Sequence, residues 1–195
     1  MKLRDFASIC LLVVGSVSSF AGAKTPIDPA LKAAYDHFVG TWEGTDTYDS
    51  NGQTKQIPVR IVIRELPGDK GLELDYVYGR PSEKEYNSDV RFLKLDPAKG
   101  AVWLWWKGDY SKERYRATGL DEFLRAGLGT IVFADSAPLS GEHGERILMK
   151  CTLRLAQNEL DYTWETSMNG SPFKVTGSFA LSRTQASSDL NQPKK

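Results

Sequence analysis

Hydrophobic and polar residues alternate with a period of two along most of the chain from Thr41 onward. β-Branched and aromatic residues occupy many of the apolar positions, which is typical of strands with one buried face. Turn residues such as Asn169-Gly170 divide the alternation into short segments. The pattern predicts ten strands, at residues 40–49, 54–66, 71–79, 88–96, 101–107, 112–122, 128–135, 145–156, 159–168 and 172–184.

The same alternation predicts which side chains point inward. Five strands carry a clear apolar set: Ile57, Val59, Ile61 and Ile63; Leu72, Leu74, Tyr76 and Tyr78; Ile147, Met149, Cys151 and Leu153; Leu160, Tyr162 and Trp164; Phe173, Val175, Phe179 and Leu181. Polar and charged residues fill the opposite positions, so one face is dry and the other wet. Because closure removes exposed sheet edges, we predict an all-β fold, a single closed antiparallel β-barrel with about ten strands in a meander.

A short helix is predicted before the first strand. Asp28 is a suitable N-cap, and Pro29 suits the first helical position. Four apolar residues then share one side of the helix: Leu31, Ala34, Tyr35 and Phe38. Gly40 is expected to end the helix.

The N-terminal segment has the pattern of a secretory signal peptide. It combines a positive start, an apolar stretch and the small residues Ala21-Gly22-Ala23. That apolar stretch is shorter than the roughly 20 residues of a membrane-spanning helix. We therefore expect an exported protein, periplasmic or secreted, with a signal peptide at residues 1–23, the barrel at 24–184 and a disordered tail at 185–195.

Charge and cysteine content narrow the possible partners. The chain has 25 basic and 25 acidic residues, interspersed along its length, which predicts no basic field for nucleic acid or anionic lipid. Cys151 is the one cysteine after residue 23, so no intramolecular disulfide is expected. His37, His143 and Cys151 lack the spacing of a zinc site, and we predict no metal and no cofactor. The oligomeric state is not specified by the sequence.

The first strand opens with Phe38-Val39-Gly40-Thr41-Trp42-Glu43-Gly44, which resembles the Gly-x-Trp motif of lipocalins and their calycin relatives. The resemblance implies that an Arg of the last strand packs over the Trp and closes one end of the barrel. The period-two count independently places Arg183 inward, where it could stack on Trp42. Ten strands further resemble nitrobindin-like barrels and certain exported bacterial families. Nitrobindins hold haem through a late His, but no His follows His143, so haem is not expected.

A barrel of this size has room for a ligand unless large side chains fill it. Whether the barrel contains a ligand cavity or a filled core depends on the predicted inward aromatic residues, which could line a cavity or fill the interior. They are Tyr76, Tyr78, Trp103, Trp105, Tyr162 and Trp164. We expect an exported protein that binds a small, largely apolar or aromatic molecule, with no catalytic residue assigned. One alternative is a filled barrel acting through its surface, at Trp106 or at the loops around 80–88 and 136–146. The other is a cofactor-free enzyme that uses Asp46 or Glu43.

Overall fold

The computed structural model describes residues 27–50, 52–68, 70–80, 86–108, 113–141 and 143–184. The predicted signal peptide and the predicted tail lie outside the described residues. The helices are α1 (Pro29–Phe38) and α2 (Leu120–Ala126). The strands are β1 (Gly40–Ser50), β2 (Gln53–Glu65), β3 (Leu72–Tyr78), β4 (Asn87–Asp96), β5 (Ala101–Trp106), β6 (Glu113–Thr118), β7 (Gly129–Ala134), β8 (Leu139–Ser140), β9 (Arg146–Leu155), β10 (Glu159–Met168) and β11 (Lys174–Arg183).

Ten of these strands form a closed antiparallel barrel, which confirms the predicted fold class. Each strand from β1 to β7 pairs with the next, β7 pairs with β9, and β9, β10 and β11 follow in order. The pairing of β11 with β1 closes the barrel. The two-residue β8 pairs with the start of β9 and is not one of the ten. No helix in the described part of the chain is long and apolar enough to cross a membrane.

The first helix forms where the sequence predicts it and packs against the core at one end of the barrel. The carboxylate of Asp28 accepts a hydrogen bond from Ala30 N at 2.8 Å and so caps the N-terminus. The predicted apolar side of α1 is buried in the core. Strand β1 begins at Gly40, directly after this helix, so α1 lies at the end of the barrel where β1 starts. We call this end the closed end.

One predicted strand extends too far, because the chain turns into a second helix. Strand β6 ends at Thr118, whereas the alternation predicted a strand through residue 122. Gly119 adopts φ +78° and starts α2. Leu120 and Phe123, three residues apart, are buried on one side of α2. Phe123 lies against Phe38 of α1 with ring centroids 5.8 Å apart, so both helices pack at the closed end.

The predicted inward set of the last strand is wrong in its first half. Phe173 and Val175 are exposed, whereas Phe179 and Leu181 are buried. The register between β10 and β11 shifts between Trp164 and Glu165, so that Gly177 pairs with Trp164 but Val175 pairs with Glu165. This β-bulge adds one residue to β11 and reverses the face of every residue before it.

Candidate functional site

Arg183 of β11 and Trp42 of β1 lie at the closed end, where they are cross-strand partners of each other. The Arg183 guanidinium lies 4.3 Å from the centroid of the Trp42 ring. It donates hydrogen bonds to the backbone oxygens of His37 and Val39, the latter at 2.7 Å. Trp42 Nε1 donates to the Phe38 oxygen at 2.8 Å. These contacts tie the last strand and the first strand to the C-terminal end of α1.

The opposite end of the barrel opens into a cavity of about 670 Å³. This volume lies within the usual range for small-molecule sites. Five aromatic rings, two aliphatic side chains and several polar groups line it: Asp46, Tyr48, Ile57, Tyr78, Asn87, Arg91, Trp106, Met149, Trp164, Thr176, Gly177 and Phe179. We call this cavity the mouth pocket. Its lining suits a molecule that is mostly apolar and has a few polar groups.

Arg91 of β4 is the cation of the mouth pocket, and its neighbours hold it in place. Its Nε donates to Asp89 Oδ2 at 2.6 Å, and its Nη2 donates to the Tyr78 hydroxyl at 2.9 Å. The guanidinium lies over the rings of Tyr76 and Trp106, at 4.6 and 5.6 Å from their centroids. Burial alone lowers the pKa of Arg91, but Tyr76, Tyr78 and Asp89 outweigh it and raise that pKa. Arg91 is therefore a fixed positive charge with aromatic walls.

Asp46 of β1 is the carboxyl group of the mouth pocket, inward as its parity with Trp42 indicates. Burial raises its pKa from 3.8 to about 6, and the nearby positive charge of Arg91 opposes this shift. Asp46 therefore exchanges a proton close to neutral pH. Glu43 lies on the outside of the same strand, half exposed and 3.4 Å from Arg60. Of the two acids weighed from the sequence, only Asp46 belongs to the pocket.

Below Arg91 the barrel is filled by side chains. The inner void has a volume of about 20 Å³, and Tyr76 and Tyr162 are among the residues that line it. Such a void is the size of one water molecule and too small for a ligand. The Tyr162 hydroxyl is buried without a hydrogen-bond partner among the described residues. The predicted ligand residues thus divide, with Tyr78 and Trp164 at the mouth pocket and Tyr76 and Tyr162 deeper in the core.

The predicted inward orientation of Trp103 and Trp105 is wrong. Strand β5 pairs with β4 so that Trp105 lies opposite Phe92 and Trp106 lies opposite Arg91. Trp105 stacks on Phe92 outside the barrel, with centroids 5.2 Å apart. Both faces of β5 are apolar, so its alternation alone left the choice of face open. Trp106, which the sequence analysis placed outside, contributes to the mouth pocket instead.

The remaining sequence candidates form no second site. Cys151 is buried among apolar residues, and burial raises the pKa of its thiol. His37 lies at the end of α1, and His143 is exposed in a turn. Within the described ranges, no group of three or more His, Cys, Asp or Glu side chains is arranged to hold a metal ion.

Comparison with known proteins identifies structural relatives alone. No family model matches the chain, and no curated protein matches it. Among solved structures, Rv2717c from M. tuberculosis is 14% identical with a TM-score of 0.53, covering 82% of this chain and 100% of its own. The S-type phycobiliprotein lyase CPES from Guillardia theta is 10% identical with a TM-score of 0.50, covering 80% of this chain and 93% of its own. At these identities the likeness shows the barrel fold alone.

Proposed function

We propose that this protein is an exported carrier that holds a small, largely apolar or aromatic molecule in the mouth pocket. The observation that carries the proposal is the cavity of about 670 Å³ at the open end of an otherwise filled barrel. Aromatic rings supply most of the apolar surface that a ligand would bury there. The inner void is too small for a ligand, so the proposal places the ligand in the mouth pocket.

The polar groups of the pocket define how the ligand would be oriented. Arg91 Nε and Nη2 are already bonded to Asp89 and Tyr78. The guanidinium of Arg91 lines the pocket, and we propose that it donates to a ligand oxygen. Asp46 adds a second polar contact in the same pocket. The proposed ligand therefore has an apolar body with a hydrogen-bond acceptor at its inner end.

The first experiment is native mass spectrometry of the protein beginning at Lys24, followed by denaturing extraction. The proposal expects a stoichiometric adduct that is released on denaturation, or displacement of a fluorescent apolar probe by the extract. Trp106→Leu and Trp164→Leu should each weaken probe binding about tenfold, because each removes apolar contact area from the pocket. Phe173→Leu is the matched control, since this aromatic residue is exposed on the outside.

Export has its own test. The mass of the protein recovered from the periplasm or medium of an expressing bacterium should correspond to a chain that begins at Lys24. Recovery of the unprocessed chain from the cytoplasm would contradict export and would leave the ligand proposal standing.

A catalytic use of the same pocket is the second candidate, favoured by Asp46. A carboxyl group with a pKa of about 6 beside a fixed cation fits general acid–base catalysis near neutral pH. The phycobiliprotein lyase shares only the fold with this chain, so its activity is not carried over. Once the extracted ligand is identified, its turnover by the wild type but not by Asp46→Asn would support catalysis. Binding by both without turnover would support the carrier.

A further inference from the structure

A second concave surface lies on the outer wall of the barrel, toward its closed end. The outward side chains of β4 and β5 meet the β2–β3 turn in a groove of about 510 Å³. Its apolar part consists of Leu66, Phe92, Trp103 and Trp105. We call this surface the outer groove. It is separate from the mouth pocket, with which it shares no lining residue.

Basic side chains converge on this groove. Lys70, Lys94 and Lys99 line it, and Lys99 also borders an adjoining pocket of about 290 Å³ with Arg114 and Arg116. Lys99 and Arg114 lie 5.6 and 5.8 Å from the centroid of the Trp103 ring. These residues are scattered along the sequence, and pairing of β4, β5 and β6 brings them together.

The local charge departs from that of the whole chain. Among the described lining residues, Asp96 is the one carboxylate. It accepts a hydrogen bond from Trp103 Nε1 and forms an ion pair with Lys99 at 3.4 Å. Glu73, across the strand from Phe92, is bonded to Arg64 at 3.1 Å. Without counting Lys94, the described lining residues of the outer groove and of the adjoining pocket together include four cations and one acid, in a chain whose formal net charge is 0. The described residues of the outer groove and the adjoining pocket therefore carry a net positive charge.

We infer that the outer groove docks the protein onto the surface of an anionic phospholipid bilayer. Indole rings favour the boundary between headgroups and acyl chains, and Lys and Arg side chains attract anionic headgroups. Long basic side chains beside apolar surface can pack their stems on it and keep their charges at the phosphates. The combination of tryptophans, a leucine and several lysines fits this boundary. The groove is concave, so it can admit the headgroup of a single lipid.

The test is flotation of the full exported chain with vesicles at low and at high salt. Phosphatidylcholine vesicles containing phosphatidylglycerol should bind about a hundredfold more tightly than phosphatidylcholine alone, given a net excess of about three basic groups. Raising the salt concentration should remove most of the difference. The double variant Lys99→Glu, Arg114→Glu should lose the preference. The matched control Lys55→Glu, Lys174→Glu reverses two exposed charges elsewhere on the barrel and should keep it.

Several outcomes would overturn the inference. Equal binding to neutral and anionic vesicles would remove the electrostatic argument, and wild-type binding by the groove variant would remove the site. Capture of an acidic polysaccharide or an oligonucleotide through the same residues, without vesicle binding, would assign the groove to another polyanion. Circular dichroism melting of each variant excludes loss of fold as the cause. Because the mouth pocket is not altered, probe binding there should be unchanged.

Discussion

Replacing Arg183 with alanine removes the guanidinium that links β11 to the end of α1. In the wild type, this group donates to the backbone oxygens of His37 and Val39 and lies over the Trp42 ring. A hydrogen bond to a charged group contributes about 1.5–3 kcal/mol, and a cation–π contact at a partly exposed site about 0.5–1 kcal/mol. Since Arg183 is only partly buried, water replaces part of these interactions. We expect a loss of about 3 kcal/mol in the free energy of unfolding.

Urea denaturation followed by tryptophan fluorescence measures this loss, and an unchanged m-value would show that the two-state comparison holds. Arg154→Ala is the matched control, because Arg154 forms ion pairs with Glu159 and Asp161 on the exposed wall. Such pairs contribute about 1 kcal/mol or less. A double-mutant cycle of Arg183→Ala with Trp42→Phe should give a coupling of about 1 kcal/mol. Equal losses in Arg183→Ala and Arg154→Ala, together with zero coupling, would refute the closing role of Arg183.

Three further predictions concern the pocket and the core. Asp46→Asn should raise the unfolding free energy near pH 7 by about 1 kcal/mol after allowance for solvent screening. The folded-state pKa of Asp46 is about 6 and exceeds the ordinary 3.8, so the wild type loses stability as the pH rises between these values. If Asp46→Asn were also more stable than the wild type in melts near pH 4, this reasoning would be contradicted. Tyr162→Phe removes a buried hydroxyl without a described partner, so chemical denaturation should show no loss and a gain of up to about 1 kcal/mol. Gly44→Ala should prevent stable folding in thermal melts, because its Cβ would lie 1.9 Å from the Ala180 oxygen. Gly52→Ala has open space around its Cβ and adds only the backbone strain of a φ of +76°, so this control should melt at a lower temperature but stay folded.

The barrel itself was predictable because alternation and turn chemistry agree over most strands. Period two alone predicts the inward sets of β2 and β3. The following predicted inward residues are buried as expected: Val59, Ile61, Ile63, Leu72, Leu74, Tyr76 and Tyr78. The helix α1 was predictable from its cap and its apolar side. Each of these elements has one apolar face and one polar face, so its local sequence is sufficient to show which face is buried.

The wrong predictions occur in strands whose local sequence is compatible with either face being buried. Strand β5 is apolar on both faces, and its pairing with β4 decides that Trp106 faces in and Trp105 faces out. The bulge in β11 is set by its pairing with β10. In both strands, pairing with a neighbouring strand determines which side chains face inward, and a period-two count along one strand gives no information about that pairing. Because the wrong face of β5 was predicted to point inward, Trp103 and Trp105 were assigned to the ligand site and Trp106 was not.

Arg91 shows that the signal for the mouth pocket was nevertheless present in the sequence. It shares parity with Leu93 and Leu95, which are buried inside the barrel. A cation beside two buried leucines on an inward face costs free energy unless partners compensate it, so its position indicates a built polar site. The residues that compensate it, Asp89 and Tyr78, lie on β4 and the neighbouring β3. Testing every charged residue for inward parity, and then examining the adjacent strands for its partners, would have predicted the centre of this pocket before its shape was known.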